Sequence, residues 1–482
     1  MKKRLIPLAV LAAAMASCSS DDVIEANPDP SGNALTFSIA VGHSRATPTD
    51  ITNLGNFKVV AKGVHPYGGL YDSFLIGGES DGELASRNGE ISDGTSGSKY
   101  GVWTLERNIY WPTAIDNALF WAYSCSQIKG SEKSAVLPEG CTFKFDTSAR
   151  TLTVSNFSPA KCNLEGALED NVWADGLDQV DFVTAFKSAS RTSNVALQFQ
   201  HVLSQINIKA QSINKKDNDS RIVKIKGAWL VNTKDQANLT STYDWVNSSA
   251  THNLSWQTLK FKTGNFSAYG SYYNQEKLLN HTNSSTPQDL LENGRSLMLI
   301  PQQIKAWNKT AGNKSDAYIL LLCRVELEHP GTNHSGNANT DDINIVGDKH
   351  YHQQFPVNAN KKFDAAEYGF VCVPVGITDD MEDAKKWSFE MGYNYTFNLD
   401  ICGDLSGAGI YPPEETDVYT ALLPTSQITG WGTADSSLKI VNRPSGKNIG
   451  DAVLDNPIQF EVTVKPWDEN TEWSEGNIVM PK

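Results

Sequence analysis

Charge is scarce in this 482-residue sequence: Asp, Glu, Lys and Arg make up only 20% of it, and the net charge is −14. A protein that grips nucleic acid needs a basic surface to displace phosphate counterions, so nucleic acid is excluded as a partner. The same acidic balance promotes solubility and disfavours adsorption to anionic membranes. The seven cysteines include no pair at CxxC spacing, so zinc-ribbon and dithiol redox motifs are absent. No Walker A or dinucleotide-binding glycine motif follows a suitable strand. Helical periodicity is nearly missing, with one or two turns expected at Asp178–Ala185 and two at Asp379–Trp387.

The motifs that could carry catalysis are weak. Gly78-Glu79-Ser80-Asp81-Gly82 matches GxSxG but lacks the strand–turn–helix setting that exposes a nucleophile. With 36 glycines in the chain it reads as a chance match. His350 and His352 would share a strand face with Asp348 nearby. A metal needs three or four convergent ligands, so this stretch reads as an exposed polar strand. Asp217, Asn218 and Asp219 lack the rest of a calcium loop and read as a solvated turn. His201, after an apolar strand, reads as a hydrogen-bonded structural histidine. Trp103, Tyr110, Trp111, Phe120, Trp121 and Tyr123 alternate as core residues do, more than as a sugar platform. No catalytic residue, metal or cofactor is expected, and the chain is not read as an enzyme.

What is present begins at the N-terminus. Lys2, Lys3 and Arg4 precede a short apolar run, Leu5 to Met15, too short to span a bilayer. Met15-Ala16-Ser17-Cys18 follows, with small residues before a cysteine as a lipoprotein signal peptidase requires. Cys18 would be diacylated and become the first mature residue. Several acyl chains, at about 0.8 kcal/mol per buried methylene, hold a protein firmly on a membrane. Ser19-Ser20-Asp21-Asp22 resembles the surface-export signal of Bacteroidetes lipoproteins. That route is oxidising and permits disulfides. Even so, Cys323 and Cys372 lie in apolar runs and read as buried small hydrophobes.

Strand patterns dominate the rest. Leu35, Phe37, Ile39 and Val41 alternate with Thr36, Ser38 and Ala40, a period of two with one buried face. Phe57–Ala61, Val102–Trp111, Ala118–Tyr123, Thr151–Val154, Leu297–Ile300 and Tyr318–Leu327 read as strands. Val195, Leu197 and Phe199 alternate, then Ile206 and Ile208, then Tyr393, Tyr395, Phe397 and Leu399, and finally Ile458, Phe460, Val462 and Val464. Gly82–Lys99, Asn247–His252, Asn280–Thr286 and Pro330–Asp342 read as exposed loops. Leu35–Val41 with Phe57–Ala61 resembles Val195–Ile208 with Ile222–Leu230. This predicts an all-β chain of two related sandwich domains joined near residue 190.

Five stretches together resemble the fimbrillin family, the subunits of type V pili. The first is the lipobox with Leu35-Thr36-Phe37-Ser38-Ile39 and Arg45-Ala46-Thr47. The second is Trp103-Thr104 through Ile109-Tyr110-Trp111-Pro112 and Leu119-Phe120-Trp121-Ala122-Tyr123. The third is Asp181-Phe182-Val183-Thr184-Ala185 with Leu197-Gln198-Phe199-Gln200-His201-Val202-Leu203-Ser204. Leu297-Met298-Leu299-Ile300-Pro301-Gln302 and Gly392-Tyr393-Asn394-Tyr395 complete the set. The resemblance implies an all-β fold of two transthyretin-like β-sandwich domains with little helix. It implies a lipoprotein precursor on the outer membrane, cut after an arginine by a trypsin-like or arginine-specific protease. Arg45 stands in that place. The cut would make Ala46 the new N-terminus, free the chain from its lipid and remove the strand Leu35–Val41. The expected parts are a signal peptide (1–17), a propeptide (18–45), an N-terminal sandwich (46–190) and a C-terminal sandwich with a donor tail (191–482).

The physics of that step is general. A sandwich that loses a strand exposes an apolar groove and unpaired backbone groups, each costing roughly 1–3 kcal/mol if buried. Another subunit's strand can satisfy both needs, and such a head-to-tail contact builds a filament. Two donors are open at this stage: Ile458, Phe460, Val462 and Val464, or Ile478 and Met480 in the tail. Partners would then be other pilin subunits and, transiently, the protease. The alternatives are a tip or accessory pilin and an anchored surface lipoprotein that binds a host or bacterial glycan or protein.

Overall fold

The computed structural model describes residues 34–479 apart from 42–53, 67–68, 79–80, 89–101, 128–139, 147, 149, 160–178, 193, 213–219, 247–248, 263, 265, 280–285, 292–295, 332–342, 358–361, 377–387, 404–405, 421, 424–437 and 467–475. In chain order the first strands are β1 (Thr36–Val41), β2 (Asn56–Val64), β3 (Leu70–Ile76), β4 (Glu83–Asn88), β5 (Val102–Leu105), β6 (Asn117–Gln127), β7 (Thr142–Asp146) and β8 (Thr151–Phe157). Then come β9 (Val180–Ser190), β10 (Asn194–His201), β11 (Ser204–Gln211), β12 (Ser220–Val231), β13 (Gln236–Val246), β14 (Ser249–Lys260), β15 (Ala268–Leu279), β16 (Gln288–Asp289) and β17 (Leu297–Leu299). The last are β18 (Tyr318–Pro330), β19 (Ile343–Val346), β20 (Lys349–Phe355), β21 (Glu367–Pro374), β22 (Tyr393–Asp400), the helix α1 (Thr416–Thr420), β23 (Lys439–Ile440), β24 (Gln459–Pro466) and β25 (Gly476–Val479).

The first sheet runs β3-β2-β4-β5-β1-β10-β9-β6, and β6 pairs again with β2. The hydrogen-bonded circuit therefore closes, which hides strand edges from solvent. Its inside is filled by Phe37, Phe57, Trp103, Trp111, Phe120 and Phe199, all buried. In the second half, a sheet ordered β16-β11-β22-β24-β25 faces one ordered β15-β12-β18-β20-β19. Ile206, Ile208, Phe397, Phe460, Ile319, Leu321 and Val371 fill the space between them.

A fourth sheet, β14-β13-β8-β7, takes one hairpin from each half, with β8 pairing antiparallel to β13. Its apolar side covers the outer face of the closed circuit. Trp121 of β6 meets Phe145 of β7 at 4.9 Å between ring centroids, and Phe186 of β9 meets Tyr243 of β13 at 5.5 Å.

Several expectations need correction. Asp178 lies outside the described residues, and Gln179–Ala185 is not helical. Val180 opens β9, whose residues pair with β6 along its whole length, so two-sided ladder bonding overrides the weak local helical signal. The strand expected over Val102–Trp111 stops at Leu105, and Trp111 packs into the core from outside a strand. Parts of two expected loops are strands: Glu83–Asn88 is β4, and Ser249 to His252 begin β14. The chain passes from the first sheet to the second between His201 and Ser204, β10 pairing with β1 and β11 with β22. Asp379–Trp387, Asp217, Asn218 and Asp219 lie outside the described residues. Cys323 and Cys372 are buried free thiols in β18 and β21, and burial pushes the Cys372 thiol well above its ordinary pKa.

Candidate assembly groove

β1 is an inner strand of the closed circuit. On one side it pairs in parallel with β10 over six positions, Thr36↔Asn194 through Val41↔Phe199. On the other it pairs antiparallel with β5 at only two, Thr36↔Thr104 and Phe37↔Trp103. Leu35 N–H adds a bond to Ile109 O at 2.7 Å, and Ser38 Oγ–H donates to Asn194 Oδ1 at 2.9 Å. The alternation in sequence becomes a buried row: Leu35, Phe37 and Ile39 are 3%, 0% and 6% exposed. The Phe37 ring lies 5.6 Å from Phe57 and 6.2 Å from Phe120, both edge-on, a favourable aromatic geometry. At about 1.5–3 kcal/mol per buried large side chain, this row contributes about 5–9 kcal/mol. That is comparable to the entire stability of a typical domain, about 5–15 kcal/mol. A groove left by β1 would therefore be apolar, aromatic-walled and rimmed by the ladder groups of β5 and β10.

The far end of β10 is pinned. His201 Nδ1 lies 3.1 Å from Asp181 Oδ1 on β9, with both side chains almost fully buried. This keeps one wall of the groove in register with the strand behind it.

At the other end of the chain, β24 lies between β22 and β25. It pairs antiparallel with β22 over eight positions, Tyr393↔Pro466 through Asp400↔Gln459. Ile458, Phe460 and Val462 are buried in the second core, with Val464 packed against it. β25 is an edge strand held by four pairs to β24.

The sequence model of the fimbrillin-like family matches residues 78–431, more than half of the chain. This chain belongs to the fimbrillin-like family. Among solved structures, it resembles a fimbrial protein from Bacteroides vulgatus at 16% identity, covering 77% of this chain and 95% of that one, with a TM-score of 0.42. A second, described as a cell adhesion protein, from Bacteroides eggerthii, is 10% identical, with 92% and 98% covered and a TM-score of 0.34. A third, from Parabacteroides distasonis and described in the same way, is 10% identical, with 92% and 99% covered and a TM-score of 0.33. A search of curated proteins finds no match.

Within this fimbrillin-like chain, Leu35, Phe37 and Ile39 come together in one row with the expected spacing. Val41 continues their strand, opposite Phe199. Ile478 pairs with Val462 across β25 and β24. Cys18, Arg45, Ala46 and Met480 lie outside the described residues. Sequence reasoning missed the walls. Trp103, Val195, Leu197 and Phe199 line the first core beside β1. Their alternation was visible in sequence, but no local signal pairs residue 37 with residue 195. Of the aromatic set, all but the half-exposed Tyr110 are buried. His350 is buried and His352 half-buried, and no three His, Cys, Asp or Glu side chains among the described residues converge to hold a metal.

Proposed function

We propose that this chain is a structural subunit of a cell-surface fimbria that is exported as a lipoprotein on Cys18, cut after Arg45 and joined head to tail by strand exchange. The observation that carries this reading is a match between two distant segments. The apolar frame of β1 and the residue before it is Leu35, Phe37, Ile39 and Val41. Ile458, Phe460, Val462 and Val464 repeat it position for position, with the phenylalanine in the same place. A strand of that pattern fits the pocket now holding Phe37 between Phe57 and Phe120.

Magnitudes favour β24 over β25 as the donor. β25 is easy to release, but Ile478 and Met480 supply only two apolar positions and no ring. β24, with Ile458 immediately before it, supplies all four. Its release exposes Ile458, Phe460 and Val462, about 5–9 kcal/mol of burial, and insertion into a neighbour's groove recovers a similar amount. The exchange is close to balance in area. The drive comes from the cut, which removes the resident strand and leaves an empty groove. β22 becomes an edge whose outward backbone groups water can serve.

The test is limited trypsin treatment of the purified chain, read by mass spectrometry and SDS-resistant ladders. The expected product begins at Ala46 and forms ladders. Cysteines placed at Asn398 and Glu461, which are paired across β22 and β24, should block ladders when oxidised and allow them when reduced. Truncation after Pro466 should leave them intact. Ladders from the oxidised lock would exclude β24 as donor. A product that keeps β1 and stays monomeric would sink the stalk reading and favour a tip subunit or an anchored glycan-binding lipoprotein.

A further inference from the structure

Three histidines meet on one face where β18 and β20 run side by side. His329 stands opposite His350 in the ladder, and His352 is the next residue on that face, opposite Leu327. His329 is the member that sequence reasoning left out. Its Nδ1 lies 2.9 Å from the carbonyl oxygen of Pro330. A carbonyl only accepts, so Nδ1 carries the proton, and the Nε2 of the neutral ring presents its lone pair. That Nε2 lies 2.8 Å from Nε2 of His352. Both residues are half-buried, so the pair is reachable from solvent.

We propose that His329 and His352 chelate a divalent transition metal through their Nε2 atoms. A backbone carbonyl that fixes the tautomer of one imidazole is the usual outer support of a metal-binding histidine. Two nitrogens 2.8 Å apart, with metal–nitrogen bonds of about 2.0–2.1 Å, subtend about 85–90° at the metal. Tetrahedral zinc wants a wider bite of about 3.3 Å between nitrogens. A right-angle bite suits the square or tetragonal preference of Cu²⁺ and Ni²⁺. The ring centroids are 4.9 Å apart, so the Nε2 corners nearly face each other across the shared hydrogen bond. Swinging each ring on the order of 20° aims both lone pairs at one metal, and the broad terminal torsion of histidine allows it. On metal entry the shared proton moves through solvent from Nε2 to Nδ1 of His352, so both rings bind as neutral imidazoles and no net proton is lost. Water completes the coordination.

The test titrates the full, untagged chain with Ni²⁺, which does not oxidise thiols, and follows binding by calorimetry. The chain has nine histidines in all, so the readout is the difference between wild type and variants. His329→Gln and His352→Gln should each weaken the tightest Ni²⁺ site at least tenfold, and the double variant should weaken it no further, because either change alone destroys the chelate. In the wild-type chain, Ni²⁺ should also protect His329 and His352 from diethylpyrocarbonate, mapped by mass spectrometry. That reading needs no variant to fold. Unchanged affinity in both single variants, or equal modification with and without Ni²⁺, would overturn the proposal.

Discussion

The molecule uses the same device twice, and the two uses differ in one respect. β1 pairs in parallel with β10 in the first sheet, and β11 pairs in parallel with β22 in the second. Each presents a buried row to its core: Leu35, Phe37 and Ile39 in one case, Ile206, Ile208 and Ala210 in the other. β11 is continuous with β10 through Val202 and Leu203, both fully buried, and is flanked on its other side by β16 and β17. β1 has only two pairs on its other side, and Arg45 follows it closely in sequence. Sheet position makes both strands energetically essential. Covalent continuity makes only β1 removable by a single cut.

The largest effect that can break this comparison comes from the two rows. Phe37→Ala should cost about 3–5 kcal/mol and Ile208→Ala about 2–5 kcal/mol in the uncut chain, measured by urea denaturation. After trypsin treatment the two should diverge. The Phe37 variant should give a product identical to wild type, because the altered strand has left. The Ile208 variant should carry its defect into the product. Equal defects after cutting would mean that β1 stays with the chain.

A smaller effect is expected at the pinned wall. Asp181→Ala leaves His201 facing a buried gap, and losing one partner of a buried hydrogen bond costs about 1–3 kcal/mol. Unlike the Phe37 defect, this one should persist before and after the cut. A loss confined to the uncut chain would tie the pair to β1 and not to the wall.

Much of this was legible in sequence, and what was not has a physical reason. Period-two alternation located β1, β10, β22 and β24, because a half-buried strand must alternate whatever it pairs with. Pairing partners were not legible. β8 joins β13 across the two halves, and nothing local in Thr151–Phe157 says which strand will cover it. The start of β9 shows no period of two because its residues from Asp181 to Ala185 are all buried, polar and apolar alike, and periodicity loses its power there. The histidine face needed a third member from a strand over twenty residues away, His329, which only the hairpin register brings in. Burial of the aromatic set followed its alternation, since both faces of β6 are covered, one by the core and one by the shared sheet.

The smallest effect tests whether the two halves act as one body. His252 sits on β14, from the second half. It stacks on Phe186 of β9, from the first half, with ring centroids 4.4 Å apart and planes within 9°. Its Nε2 shares a 2.6 Å hydrogen bond with Ser241. Burial lowers its pKa below the ordinary histidine value. The unfolded chain therefore takes up the proton first as pH falls through about 6.5, and protonation favours unfolding. Stability from this group is complete above that pH, declines across the window down to the folded-state pKa, and levels off below it. One group contributes a slope of at most about 1.4 kcal/mol per pH unit. His252→Gln keeps a hydrogen-bonding side chain and removes the titration, so the stability of the variant should fall less steeply than wild type between about pH 7 and pH 5. If the docked hairpin is part of one cooperative unit, fluorescence and circular dichroism should report the same difference in slope. If only one probe reports it, the hairpin of the second half opens from the first before either core unfolds.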